Sequence, residues 1–191
     1  MQYKFFKRLF DFFGAIVCIL LLLPLMIIIY VVFKILLNGS FIFWSQRVGE
    51  NGKIFLMPKI RTMEPDTPQL ATDLLVNPQN YISPFGNLLR KSSLDELPQL
   101  WSILIGKMSF VGPRPALFNQ HDLIKLRKKK GVDKLVPGLT GWAQINGRDN
   151  LLLEEKVCLD LIYLKNYSFL LDIKILLLTL ILIFRKKNIL H

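Results

Sequence analysis

Residues 12–33 contain no charged side chain. As a helix these 22 positions would extend about 33 Å, the thickness of a bilayer's hydrocarbon core. Lys4, Lys7 and Arg8 precede the run, as in a signal peptide, but the run is too long and no small-x-small cleavage site follows, so it is expected to be retained. Pro24 stands near its middle, where a proline removes one backbone hydrogen bond and crowds the preceding turn, so a kink is expected there. Basic residues flank both sides: Lys4, Lys7 and Arg8 before, and Lys34, Arg47, Lys53, Lys59 and Arg61 after. The positive-inside rule then favours both ends on the cytoplasmic side, which a re-entrant helical hairpin over residues 1–37 satisfies. A simple bitopic anchor with a bend at Pro24 is the alternative.

The remaining residues, 38–191, are ample for one domain. Twenty-five Lys and Arg against 14 Asp and Glu give a net charge of +11, although 52% of the chain is hydrophobic and the mean hydropathy is +0.38. Such an oily, basic chain is expected on an anionic membrane surface. Cys18 and Cys158 are too few for a disulfide framework or a zinc knuckle, and His121 and His191 too few for a multi-histidine metal site. Carboxylates are left as the natural acids, nucleophiles and metal ligands.

Two short apolar runs, residues 41–44 and 53–57, flank Asn51-Gly52 and predict a β-hairpin. Residues 64–84 hold four prolines among polar residues and read as a loop-rich stretch or lid. Leu94, Leu97, Trp101 and Leu104 recur at helical spacing, with Pro98 in the first turn, which starts a helix near Asp95. Residues 116–135 read as a basic helix whose lysines face either solvent or acidic headgroups. A Gly-rich loop over 137–147 and a helix over 151–165 follow. The ten apolar residues 175–184 are too few to cross a bilayer and read as interfacial or as core. The fold class is therefore mainly α with a small β-hairpin.

The chemistry concentrates at Asp95-Glu96. On a helix adjacent carboxylates diverge by about 100°, so both can lean toward one ligand or metal. The structural alternative is a capping box, since Ser93-x-x-Glu96 matches that pattern. Lys59-x-Arg61, Arg90-Lys91, Gly112-Pro113-Arg114-Pro115 and Asn146-Gly147-Arg148 each place a cation in or beside a constrained turn. Singly each is an ordinary surface charge; together with two carboxylates they outline a site for a phosphorylated, metal-bound substrate. Gly141-Trp142-Ala143-Gln144 reads as a turn with a buried Trp, and Asp160 and Tyr163 share a helical face.

Taken in order, Lys7-Arg8-x-x-Asp11, the proline-interrupted apolar run, Lys59-x-Arg61-Thr62-Met63, Arg90 to Leu100, Met108 to Pro115, Pro137 to Arg148 and Asp160-x-x-Tyr163 resemble the bacterial sugar transferase family over almost the whole chain. Within it the pattern is most similar to the small monotopic phosphoglycosyl transferases of the bacillosamine type. The resemblance implies transfer of a sugar 1-phosphate from a UDP-sugar to polyprenyl (undecaprenyl) phosphate with release of UMP, an early membrane step of glycoconjugate synthesis. It implies Asp95 as the nucleophile of a covalent phosphosugar intermediate, and Glu96 as its partner in holding Mg²⁺ or managing a proton. Arg114 and Arg148 map to phosphate-binding arginines, with Lys59, Arg61, Arg90, Gln144 and Asp160 as further substrate contacts. A re-entrant helix broken at Pro24, interfacial amphipathic helices, and an active site on the cytoplasmic face of the inner membrane complete the expectation. Members often carry Ser before the kink proline and Arg before Pro-Gly-x-Thr-Gly; this chain has Leu23 and Val136.

The expected partners are a UDP-sugar, polyprenyl phosphate, anionic inner-leaflet lipids and later glycosyltransferases of the same pathway. A non-enzymatic polybasic membrane adaptor is the competing reading, and nucleic acid is not an expected partner because no recognition fold accompanies the charge.

Overall fold

The computed structural model describes residues 2–37, 39–63, 67, 81–147 and 151–187. Most of the 64–84 stretch, and Arg148, lie outside the described residues. Helix α1 runs without interruption over Gln2–Leu36, with Pro24 inside it. Strands β1 (Ile42–Val48) and β2 (Ile54–Ile60) form the expected antiparallel hairpin, longer than the apolar runs alone predict. Asn51 and Gly52, at φ +56° and +73°, supply the left-handed residues that its turn requires.

Helices α2 (Pro84–Lys91) and α3 (Gln99–Leu104) follow, separated by a 3₁₀ turn over Leu94–Glu96. Here the expected helix is corrected. It starts at Gln99, with Pro98 as its N-cap, and its buried face carries Gln99, Leu100, Ser102 and Ile103, while Trp101 is 53% exposed. Pro98 lacks an N–H and fits the entry of an α-helix, so the residues before it close as a tighter 3₁₀ turn instead of extending the helix backward. Within the basic stretch the α-helix covers only α4 (His121–Lys130), which Gly131 ends at φ +73°, and a 3₁₀ turn over Val132–Lys134 follows. Helices α6 (Leu153–Lys165) and α7 (Phe169–Lys187) close the chain.

The stretch read as a Gly-rich loop holds two elements the sequence did not announce. Strand β4 (Gly138–Thr140) pairs in parallel with β3 (Ser109–Val111), and the one-turn helix α5 (Trp142–Ile145) follows. The parallel pair requires backbones at glycine distance. A Cβ at Gly138 would stand 2.0 Å from the Gly112 nitrogen, and one at Gly141 would stand 2.1 Å from the Gly112 carbonyl oxygen.

Helix α1 shares the core on both sides of Pro24. Ala15, with Cys18, Ile19 and Leu22 beside it, meets Phe55, Met57, Leu100, Ile103 and Met108. Ile29 and Phe33 meet Ile60 and Leu89. A third cluster joins Val111, Leu135, Tyr163 and Ile175 beneath α6 and α7. The opposite face of α1 stays bare: Val17, Leu20, Leu21, Ile27, Ile28, Val31 and Ile35 are each about half exposed or more. Its first turns are fixed by charge instead. Lys7 pairs with Asp172 of α7, Arg8 donates to the Ile103 and Leu104 carbonyls at 2.7 and 2.6 Å, and Asp11 accepts from the Phe110 amide at 3.0 Å.

Gly138→Ala is expected to cost about 3 kcal/mol or more, because the added methyl overlaps backbone that cannot move aside. Thermal unfolding of the detergent-solubilised protein measures this; an unchanged midpoint would mean that the two strands are not held at this spacing.

Candidate active site

Three elements converge on Glu96. Its Oε1 accepts from Lys59 Nζ of β2 at 3.0 Å and from Arg114 Nη2 of the loop after β3 at 3.2 Å. The Glu96 and Lys59 side chains are 15% and 17% exposed, and that of Arg114 is 40% exposed, so the cluster is walled by protein and open along the arginine. Ser93 sits in the left-handed region at φ +58° and turns the chain out of α2 into the 3₁₀ turn. Its hydroxyl caps nothing, and the capping-box alternative is not formed: the Glu96 carboxylate goes to the two cations.

In a 3₁₀ turn adjacent side chains diverge by about 120°, and the two carboxylates accordingly meet different surroundings. Asp95 is buried, 7% exposed, and among the described residues no hydrogen bond reaches its carboxylate. Burial pushes its pKa up; Lys59 pulls it back, Glu96 pushes it further, and Arg90 and Arg114 oppose. For Glu96 burial also pushes upward, but Lys59 and Arg114 together outweigh it and hold the group at about 2. The result is one carboxylate committed to neutralising cations and a neighbour of raised basicity.

The loop carrying Arg114 is fastened residue by residue. Gly112 N–H donates to the Thr140 carbonyl at 2.9 Å, and the Pro113 carbonyl accepts from Gly138 N–H at 2.9 Å. Arg127 Nη1 of α4 donates to the Arg114 carbonyl at 2.7 Å, and Arg47 Nη1 of β1 donates to the Pro115 carbonyl at 3.1 Å. Burial, and then the Arg114 charge, lower Arg47 to about 10, while Glu96 opposes that shift.

The model for bacterial sugar transferases matches residues 2–186. The chain belongs to the bacterial sugar transferase family. It is 42% identical over 175 residues to the uncharacterized sugar transferase EpsL of Bacillus subtilis (strain 168), covering 91% of this chain and 84% of that protein. It is 39% identical over 187 residues to the galactosyl transferase CpsE of Streptococcus agalactiae serotype III, covering 91% of this chain and 41% of the relative. To the undecaprenyl-phosphate galactose phosphotransferase of Salmonella typhimurium it is 35% identical over 192 residues, covering 91% and 39%. The chain thus spans about two-fifths of the length of these last two relatives.

Within this sugar transferase the structure brings Lys59, Asp95, Glu96 and Arg114 together, with Arg90, in the last turn of α2, close enough to act on Asp95 electrostatically. It does not bring every predicted residue there. Arg61 donates to the Ser40 carbonyl at 3.0 Å and lies over the Phe43 ring. Gln144 Nε2 donates to the Leu139 carbonyl at 2.9 Å, and its Oε1 is buried with no partner among the described residues. Asp160 is 1% exposed and takes two bonds from Arg127, at 2.7 and 3.1 Å, so its carboxylate serves the interior. Arg47 and Arg127 carry no sequence signal as site residues. Arg47 sits in an ordinary strand and Arg127 in a lysine run, and only folding shows both guanidinium groups turned onto the Arg114 loop.

Glu96 titrates lower folded than its ordinary 4.5, so its contribution is fully present above about 4.5 and is lost as pH falls toward 2. Glu96→Gln in metal-free buffer should therefore cost about 3 kcal/mol near neutral pH, a gap that closes as the pH approaches 2. Unfolding measured across pH decides it; a gap independent of pH would remove the carboxylate's role as counter-charge.

Proposed function

We propose that this chain transfers a sugar 1-phosphate from a UDP-sugar to a polyprenyl phosphate through a covalent intermediate on Asp95. The observation that carries the reading is the asymmetry of the two carboxylates: Asp95 is buried, of raised basicity and not hydrogen-bonded among the described residues, beside cations already gathered by Glu96. A carboxylate in that setting is a nucleophile waiting for a phosphorus electrophile. Attack by an Asp95 oxygen on the sugar-bearing phosphorus forms an acyl phosphate as the bond to the UMP oxygen breaks. An oxygen of polyprenyl phosphate then attacks the same phosphorus and returns the carboxylate. In this reading Lys59 and Arg114 would carry the diphosphate charge, and Arg90 would add to the field. The names of the relatives support undecaprenyl phosphate as acceptor and galactose or glucose, rather than a diamino sugar, as first candidates.

The donor set fits Mg²⁺. Among the described residues no group of three or more His, Cys, Asp or Glu side chains is present, but Mg²⁺ needs only one or two carboxylates when phosphates and waters complete its octahedron. Asp95 offers such a carboxylate, with Glu96 adjacent to it. When bound, the ion would neutralise phosphate oxygens and favour UMP as a leaving group.

Membrane attachment through α1 belongs to the same reading. Its two halves pack on one body, while its outer face exposes only apolar side chains over the uncharged run. In this reading both ends of α1 stay on one side of the bilayer, the helix entering and returning through a bend at Pro24 or lying within the interface. The exposed Leu170, Leu177, Leu180 and Ile181 of α7 would then rest at the interface.

Asp95→Asn should lower UMP release by about three orders of magnitude or more and abolish the phosphosugar adduct seen by intact mass, with the thermal midpoint unchanged. The assay is a UMP-release screen of UDP-galactose, UDP-glucose and UDP-N-acetyl sugars with undecaprenyl phosphate and Mg²⁺; turnover by the variant at the wild-type rate would dismiss the nucleophile. Cysteines placed at positions 4 and 40 of a cysteine-free chain should react with an impermeant maleimide from the same side of sealed vesicles. Reaction from opposite sides would restore the bitopic anchor.

A further inference from the structure

Arg127 and Asp160 form a buried pair whose shape is more specific than its charge requires. The Arg127 side chain is 12% exposed and that of Asp160 is 2% exposed. Nε and Nη2 of the guanidinium grip one oxygen, Asp160 Oδ2, at 3.1 and 2.7 Å, and the remaining terminal nitrogen, Nη1, reaches the Arg114 carbonyl at 2.7 Å. A buried ion pair adds little net stability over well-packed hydrocarbon, because desolvation offsets the attraction. What hydrocarbon cannot do is hold a carbonyl. The planar fork fixed by Asp160 aims one N–H at the peptide oxygen of the residue whose own guanidinium meets Glu96.

We infer that Arg127, oriented by Asp160, is a positioning residue that sets the Arg114 guanidinium against Glu96 and the incoming phosphates. The inference rests on the reading of this centre as a phosphosugar transfer site. The clamp comes from two sides: Arg127 of α4 takes the Arg114 carbonyl, and Arg47 of β1 takes the next one, at Pro115. The proline rings of Pro113 and Pro115 restrict the backbone on either side. A side chain carrying a catalytic charge is placed only as well as its backbone, and displacement by about 1 Å is enough to cost up to a hundredfold in rate. Asp160 enters the site by this route, through Arg127, and not as a substrate contact.

Three variants separate positioning from stability. Arg127→Lys keeps a cation opposite Asp160 and loses the planar fork that spans Asp160 and the Arg114 carbonyl. It should fold, and its kcat/KM for the best UDP-sugar in the UMP-release screen should fall about tenfold or more. The double variant Arg127→Met/Asp160→Leu leaves no lone buried charge, so its thermal midpoint should approach that of the wild type while kcat/KM stays low. Adding Arg127→Lys to an Arg114→Gln background should cost nothing further, since the residue being positioned is gone. Recovery of activity together with stability, or an additive loss on the Arg114→Gln background, overturns the inference.

Amide hydrogen exchange read on peptides spanning 109–118 gives a test that needs no turnover. Exchange should rise there in Arg127→Lys and stay unchanged in α6 and α7; no change over 109–118 also overturns it. Absence of UMP release by the wild type would instead defeat the reaction proposed above, leaving the exchange result to decide the clamp.

Discussion

The buried contact between Lys7 and Asp172 fixes where an apolar helix meets a polar catalytic body. Two charges removed from water are tolerated only when paired and further hydrogen-bonded, and Asp172 is served fully: Tyr3 donates at 2.5 Å to the oxygen that Lys7 holds, and Tyr163 donates at 2.6 Å to the other. Three helices, α1, α6 and α7, are thereby locked in one register. With the register set, Arg8 reaches the last two carbonyls before the end of α3, and Asp11 reaches the Phe110 amide in β3. These two elements border the halves of the site. Asp95 and Glu96 lie in the 3₁₀ turn just before α3, and Arg114 lies three residues beyond β3. A helix whose outer face is suited to lipid thus determines, through four polar residues on its inner face, how the carboxylates meet the arginine.

The same dependence explains which features were legible in the sequence. The apolar run, the Asn51-Gly52 hairpin and the paired Asp95 and Glu96 are local patterns, and each is found in place. The gathering of cations was also legible, because glycines and prolines around each one mark constrained backbone. What composition could not distinguish was which cation meets Glu96 and which ties the Arg114 loop to the body. Arg127 belongs to a lysine-rich run that reads as a solvated surface, and its partner lies 33 positions away on another helix. Asp160 shows the converse: it belongs to a motif whose resemblance implies a substrate contact, and it lies buried with its carboxylate on Arg127. The start of α3 departs from the leucine spacing for a different reason. Pro98 is compatible with either the first helical turn or the cap, and the leucine spacing favoured the first, while burial of Gln99, Leu100, Ser102 and Ile103 against β2 and α1 imposed the second. The short parallel pair β3–β4 left almost no trace, because two three-residue strands have too few positions to show alternation and are joined by the close approach of glycines.

Counting charge at the site shows why Glu96 is needed before any substrate arrives. Among the described residues Arg47, Lys59, Arg90 and Arg114 act electrostatically on Asp95 or Glu96, an excess of 4 − 2 = 2 positive charges in largely buried surroundings. Arg47 and Lys59 are both pushed down by burial and by the Arg114 charge, and Glu96 opposes both shifts. Without that carboxylate the cations would repel one another or lose protons. With it they stand ready, and the remaining excess is of the sign and size that a diphosphate neutralises. The oxygen that binds the cations is therefore the one that a phosphate must rival, and binding of the anion would loosen Glu96 from Lys59 and Arg114 without leaving either cation bare. The +11 excess of the chain is in this sense not one property: the lysines of α4 face outward, whereas the site's own surplus is held in place by a single carboxylate beside the one proposed to react.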